Sequence, residues 1–249
     1  MNTRNSAFSL IELLVVIALI AILCALIYPA LKAATSSRDE TVALSNMHQI
    51  GEAFNLYTND NSYALPSRVT TASGQNKWPG LLAQYMSDVR VFASSYDLQN
   101  WVARGLTQAL ALSNTTNNTS FIMNGYNDRG MYGTTDTPPP VRINQFPITS
   151  DIILLGTPLN PTASHPLQAH NTQFYMDFLE PPNGNQYDVL DLAAFNGGSN
   201  YLFADGSAKF ITEAQYVAPD PANPSQRYGD DLWLTDKTWT IPKVGKGGN

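Results

Sequence analysis

The chain has 249 residues, room for one large domain or for a smaller domain with extensions. A net charge of −6, with no run of Lys or Arg anywhere, argues against a nucleic-acid-binding surface. The single cysteine, Cys24, rules out an intrachain disulfide and a cysteine-based metal site.

Residues Met1–Ala7 form a short polar leader with one base, Arg4. From Phe8 to Leu31 the chain is almost wholly apolar, with one acid, Glu12, near the start. The 19 uncharged residues from Leu13 to Leu31, at about 1.5 Å each, predict a helix of roughly 28 Å, close to the hydrocarbon thickness of a bilayer. An unpaired carboxylate in such a segment costs on the order of 2–3 kcal/mol, so Glu12 calls for a partner. A secretory signal has an apolar core of about 7–15 residues and no acid inside it, which this stretch exceeds. A plain signal anchor has the right length but leaves Glu12 unexplained.

Beyond Lys32 the polarity changes while helical spacing continues. Ala43, Met47, Ile50, Phe54 and Tyr57 recur at steps of four and three, the core stripe of an amphipathic helix. Gly51 weakens that helix by up to about 1 kcal/mol. His48 falls on the polar side, where it is read as solvated. The turn formers Thr58-Asn59-Asp60-Asn61-Ser62 end the helix, which is expected from about Ser9 to Tyr57.

The rest is rich in Asn, Thr, Ser, Gly and Pro, a loop-heavy β composition common outside the cytoplasm. Ser62–Pro66 reads as a short extended piece, Thr70–Lys77 as a loop, and Trp78–Met86 as a short helix behind a tryptophan anchor. Val89–Phe92 reads as extended, and Leu98–Leu112 has helical spacing. Ser113–Ser120 and Pro158–Asn171 read as loops, and Thr137–Arg142, with three consecutive prolines, as a loop or edge crossing. Phe121–Asn124 and Asp151–Leu155 are strand candidates, the second an apolar run suited to a sheet centre. Asn196–Ile211 is the clearest hairpin, two alternating runs around an Asp205-Gly206 turn. The tail from Lys243 to Asn249 is expected to be disordered.

No catalytic constellation stands out: the chain lacks GxSxG, HExxH, Walker and GxGxxG patterns. His165 and His170 are five apart in a proline-flanked loop, unsuited to one helical face. Asp205 is read as a turn former rather than a ligand. The acids between Asp220 and Asp236, among them Asp230 and Asp231, offer hard oxygen donors of the kind calcium takes, or form a solvated acidic loop.

Ala7-Phe8-Ser9-Leu10-Ile11-Glu12-Leu13-Leu14-Val15-Val16-Ile17 resembles the cleavage and methylation motif of type IV pilins and type II secretion pseudopilins. The resemblance implies that a prepilin peptidase cuts between Ala7 and Phe8 and methylates the new amine of Phe8. Gly is usual before the cut, where this chain has Ala7. In that family the Glu, here Glu12, neutralises the amine of a neighbouring subunit; pairing with its own amine is the alternative. Pro29 stands where many pilins have a helix-loosening proline, and some pseudopilin heads hold calcium near their C-terminus. A second resemblance, to a pilin-like family abundant in planctomycete-type bacteria, rests on Asn196, Gly197, Gly198, Asn200, Asp205 and Gly206, and on Leu44–Gly51 with Tyr57–Asp60. Phe195 and Ser207 replace that motif's two histidines, and Ala93-Ser94 its Cys-Pro pair.

Together these imply an α+β pilin-like fold. A leader (1–7) and a long transmembrane and then amphipathic helix (8–58) precede a head (59–242) with an antiparallel sheet, and a tail (243–249). The Asn196–Ile211 hairpin is expected as a central strand pair. The implied role is that of a non-enzymatic filament or pseudopilus subunit in the inner membrane, its head in the periplasm or, after assembly, at the cell surface. Its implied partners are the peptidase/methyltransferase, other pilin-like subunits and an inner-membrane assembly platform, with no cofactor other than calcium as an option. The alternative is a membrane-tethered binding module that borrows a pilin-type anchor; an anchored hydrolase is a third.

Overall fold

In a computed structural model, which describes residues 10–66, 78–93, 119–124, 141–157, 175–176, 190–224 and 227–233, one helix dominates the N-terminal region. This helix, α1 (Leu10–Asp60), has 51 residues and runs through Pro29 without a break. It ends at Asp60, three residues beyond the expected Tyr57 and inside the cluster of turn formers, where the Asn61 N–H and side-chain amide both bond the Tyr57 carbonyl. Ser62 and Tyr63 then turn the chain at positive φ (54° and 65°).

Contacts divide the chain into two units, Met1–Arg38 and Asp39–Asn249. In the first unit the apolar side chains of α1 are exposed, Leu10 at 86% and Leu26 at 69%. Among the described residues it is the one helix long and apolar enough to cross a membrane.

In the second unit, the later part of α1 buries the stripe read from its spacing. Ala43, Met47, Ile50 and Phe54 are at most 1% exposed, and Tyr57 packs at the edge of the same cluster. Each such large side chain contributes about 1.5–3 kcal/mol on leaving water. Phe54 stacks on Trp78, whose ring meets Phe92 edge-on. Trp78 opens a short helix, α2 (Trp78–Ala83), which ends three residues earlier than its composition suggested.

The sheet has strands β1 (Ile122–Asn124), β2 (Ile153–Gly156), β3 (Tyr175–Met176), β4 (Gly198–Phe203) and β5 (Ala208–Thr212), in the order β3-β1-β2-β4-β5. The α+β architecture and the antiparallel β1-β2-β4-β5 core agree with expectation. The sheet as a whole is mixed, because β3 runs parallel to β1. Its centre is β2 rather than the β4–β5 hairpin, since β5 ends the order. The physical reason lies in burial: all four residues of β2 are buried, whereas Lys209 of β5 is exposed and β5 as a whole is only partly covered. Apolar clusters cover both faces. Met123, Leu154, Leu155 and Leu202 join the α1 side, while Ile122, Ile153, Tyr201, Phe203 and Ile211 join a second cluster around Tyr216 and Trp233. A strand packed on both faces has no reason to alternate, which accounts for the unbroken Ile-Ile-Leu-Leu run.

Val89–Phe92 is a 3-10 helix, not an extended segment. Asp88 caps it, accepting from the Arg90 backbone N–H at 2.9 Å and from the Arg90 guanidinium at 2.7 Å. That local clasp overrides the β-preference of its valines. Ser62–Pro66 is extended only as a bridge, Ala64 pairing antiparallel with Arg142. Two short helices, Glu213–Val217 and Tyr228–Asp231, follow the hairpin. The readings of Met1–Ala7, Thr70–Lys77, Leu98–Leu112, Pro158–Asn171 with His165 and His170, and the 243–249 tail lie outside the described residues, as do most of Ser113–Ser120 and Thr137–Arg142.

Candidate functional site

Two regions carry the residues singled out from the sequence. The first is the start of α1. Ala7 and Phe8 lie outside the described residues. Glu12 sits in the first helical turn, exposed among apolar neighbours. A helix N-terminus presents unsatisfied N–H groups and a positive dipole end, so a carboxylate is electrostatically well placed there. Pro29 lies within the apolar part of the helix and supplies no N–H to the turn before it. Thr35 Oγ1 bonds back to the Lys32 carbonyl at 2.9 Å, a second local perturbation of the ladder.

The second region is the hairpin, where the six motif residues do structural work against α1 and against one another. Asn196 (φ 42°) and Gly197 (φ 82°) occupy the two centre positions of a tight turn. Phe195 and Gly198 close it with a reciprocal pair of backbone bonds at 2.9 and 2.8 Å. Positive φ at both centres is the type I′ geometry that Asn-Gly favours. Gly198 then begins β4 under Phe210, and a Cβ there would stand 2.4 Å from the Phe210 ring.

Two residues on, on the same face of β4, Asn200 is fully buried and its Nδ2 donates to the backbone carbonyl of Glu40 in α1 at 2.8 Å. Its Oδ1 is buried without a hydrogen-bond partner. At the far end of the strand, Asp205 Oδ1 accepts from the N–H and the hydroxyl of Ser207 at 2.9 and 2.6 Å, the turn-forming role read from the sequence. Gly206, at φ 84°, faces Gly51 of α1. A Cβ on Gly51 would stand 2.8 Å from the Gly206 carbonyl oxygen and 2.9 Å from Leu202 Cδ1, and one on Gly206 would stand 2.8 Å from Asn55 Nδ2. Helix and hairpin therefore meet backbone to backbone at Gly51–Gly206 and are tied by a hydrogen bond at Asn200–Glu40. A further tie joins Asn46 Nδ2 to the Ala93 carbonyl at 3.0 Å.

Gly51 and Asn46 lie in the Leu44–Gly51 segment of the second resemblance, which implied no contact role for them. The available signal was a glycine beside Ile50 on the core stripe, where a helix former would otherwise be expected.

The acidic stretch is also structural in part. Asp230 is 2% exposed and paired with Arg227 through bonds of 2.6 and 2.7 Å. Burial pushes its carboxyl above the usual range, while the Arg227 bonds and charge pull it back. Burial also raises the Tyr201 and Tyr216 phenols packed beside it. Asp220 Oδ1 accepts from the Ala222 N–H at 2.8 Å. Among the described residues, no three His, Cys, Asp or Glu side chains are grouped to hold a metal. His48 is exposed.

Residues 2–28 match the family model of the prokaryotic N-terminal methylation motif. No curated protein and no solved structure matches the chain. The motif implies processing by a prepilin peptidase and assembly with other pilin-like subunits, and with the apolar N-terminal helix it fits a membrane-anchored, structural protein. At its N-terminus, then, the chain carries the signal of type IV pilins and pseudopilins.

Proposed function

We propose that this protein is a subunit of a type IV pilus-like filament or of a type II secretion pseudopilus. The observation that carries the reading is the methylation motif at residues 2–28, which overlaps the start of a long apolar helix with Glu12 in its first turn. In this account the prepilin peptidase cuts between Ala7 and Phe8 and methylates the exposed amine. α1 holds the subunit in the inner membrane with the head in the periplasm. Incoming subunits are registered by Glu12 against the Phe8 amine of a neighbour, which repays the cost of a carboxylate in an apolar layer. Pro29 loosens the helix as subunits pack, and an inner-membrane platform drives extrusion. The hairpin's Asn200 and Gly206 seat the later part of α1, at Glu40 and Gly51, on the sheet.

The test is Glu12→Ala in the producing cell. The variant is expected to insert in the membrane as the parent does and to yield no filament. Normal filaments from Glu12→Ala would contradict the reading, and so would a parent protein that never assembles while remaining a tethered monomer that binds a ligand.

A further inference from the structure

We propose that Asn196–Gly197 is a self-modifying site in the folded protein, converting over time to an aspartyl or isoaspartyl residue. The chain has three Asn-Gly pairs, Asn124-Gly125, Asn183-Gly184 and Asn196-Gly197. Glycine after asparagine leaves the following amide nitrogen unhindered, which favours attack on the side-chain carboxamide. Folding then decides which pair reacts.

Asn124 is 1% exposed, and its Nδ2 donates to the carbonyls of Ile153 at 2.6 Å and Trp233 at 2.9 Å. Its Cγ can swing toward the next amide only after both buried bonds break. Asn196 and Gly197 are both exposed, and nothing lies within 4 Å of a Cβ built on Gly197. Among the described residues, no hydrogen bond holds the Asn196 carboxamide or the Gly197 N–H. The reciprocal Phe195–Gly198 pair and the bond from the Glu213 N–H to the Gly197 carbonyl at 2.8 Å resist the backbone rotation that brings Gly197 N to Asn196 Cγ, and both lie at the rim of the sheet.

The chemistry needs only solvent. Gly197 N gives up its proton to a base and forms a bond to Asn196 Cγ. Nδ2 takes a proton and leaves as ammonia, closing a five-membered succinimide. Water then opens either carbonyl, giving Asp or isoaspartate, with no change of oxidation state. Asp at position 196 tolerates the left-handed backbone much as Asn does. Isoaspartate adds a backbone atom inside a two-residue turn and removes the Phe195–Gly198 pairing. The lesion therefore falls two residues from Gly198 and four from Asn200, at the end of the hairpin that holds α1.

The experiment ages the full-length protein in detergent micelles in mildly alkaline water enriched in oxygen-18, with residue-level mass spectrometry. Label is expected at residue 196 at a rate first order in hydroxide, as a mixture of aspartyl and isoaspartyl forms. Asn124 is expected to react slower by about tenfold or more, because its carboxamide needs local unfolding first. On denaturation that difference should collapse. An Asn196 that stays unlabelled while the denatured chain is converted would overturn the proposal, as would equal rates at Asn196 and Asn124 in the folded protein.

Discussion

Asn200 shows how much a single amide can be asked to hold. It lies in a fully buried position and points its donor at a helix carbonyl 160 residues away in sequence. Asn200→Asp keeps the shape but removes that donor and sets a carboxylate against the Glu40 oxygen. We expect a loss on the order of 3 kcal/mol at neutral pH, as for an uncompensated buried charge, partly regained on acidification. Denaturation of the full chain in detergent measures it, and a variant as stable as the parent would contradict the contact. Asp230 gives a pH-dependent counterpart. Its folded carboxyl is raised by burial, against the pull of Arg227, so the folded state binds that proton more tightly than the unfolded chain. The contribution is therefore favourable at low pH and lost as pH rises from the ordinary carboxylate value through the raised folded one. Asp230→Asn is expected to flatten that part of the stability profile. An unchanged slope across the same window would remove Asp230 as its source.

At the level of elements, the later half of α1 and the β4–β5 hairpin form one packed unit with glycines at the crossing. Gly51→Ala should raise helix propensity by about 1 kcal/mol. It also drives a methyl to within 2.8 Å of the Gly206 carbonyl, and overpacking of this kind costs about 1–3 kcal/mol. A net drop in melting temperature is expected, and a rise would show that the seat has slack. The sequence made α1 legible because its periodicity is long and its end is marked by five consecutive turn formers. The hairpin was legible for the same local reason, through Asp205-Gly206. The central place of β2 was legible in its unbroken apolar run, whereas the edge place of β5 was not. Strand order depends on pairing between distant segments, and its strong hairpin turn gave β5 no local mark of the sheet's end. Val89–Phe92 misled because β-branched residues suggested extension, while the deciding interaction was the Asp88–Arg90 clasp. The helix Glu213–Val217 did carry a local signal that went unused, Thr212 three residues before Gln215. The Thr212 hydroxyl accepts from the Gln215 N–H, and the Gln215 side chain accepts in return from the Thr212 N–H.

For the molecule as a whole, the N-terminal signal was legible because its chemistry is written in consecutive residues: a small residue, Phe8, Glu12 and an apolar run. The seat between α1 and the hairpin was half legible. Both sides lie in segments of the second resemblance, Leu44–Gly51 on the helix and Asn196–Gly206 on the hairpin, but the meaning of Gly51 appears only once Gly206 lies against it. The central claim is that this protein enters a filament pathway by processing at Ala7–Phe8, and the mass of the mature N-terminus tests it most directly. Protein recovered from membranes of the native producer should begin at Phe8 and carry an added methyl group on its amine. An intact Met1, or a cleavage near Ala33–Ala34 that discards the apolar helix, would contradict the account.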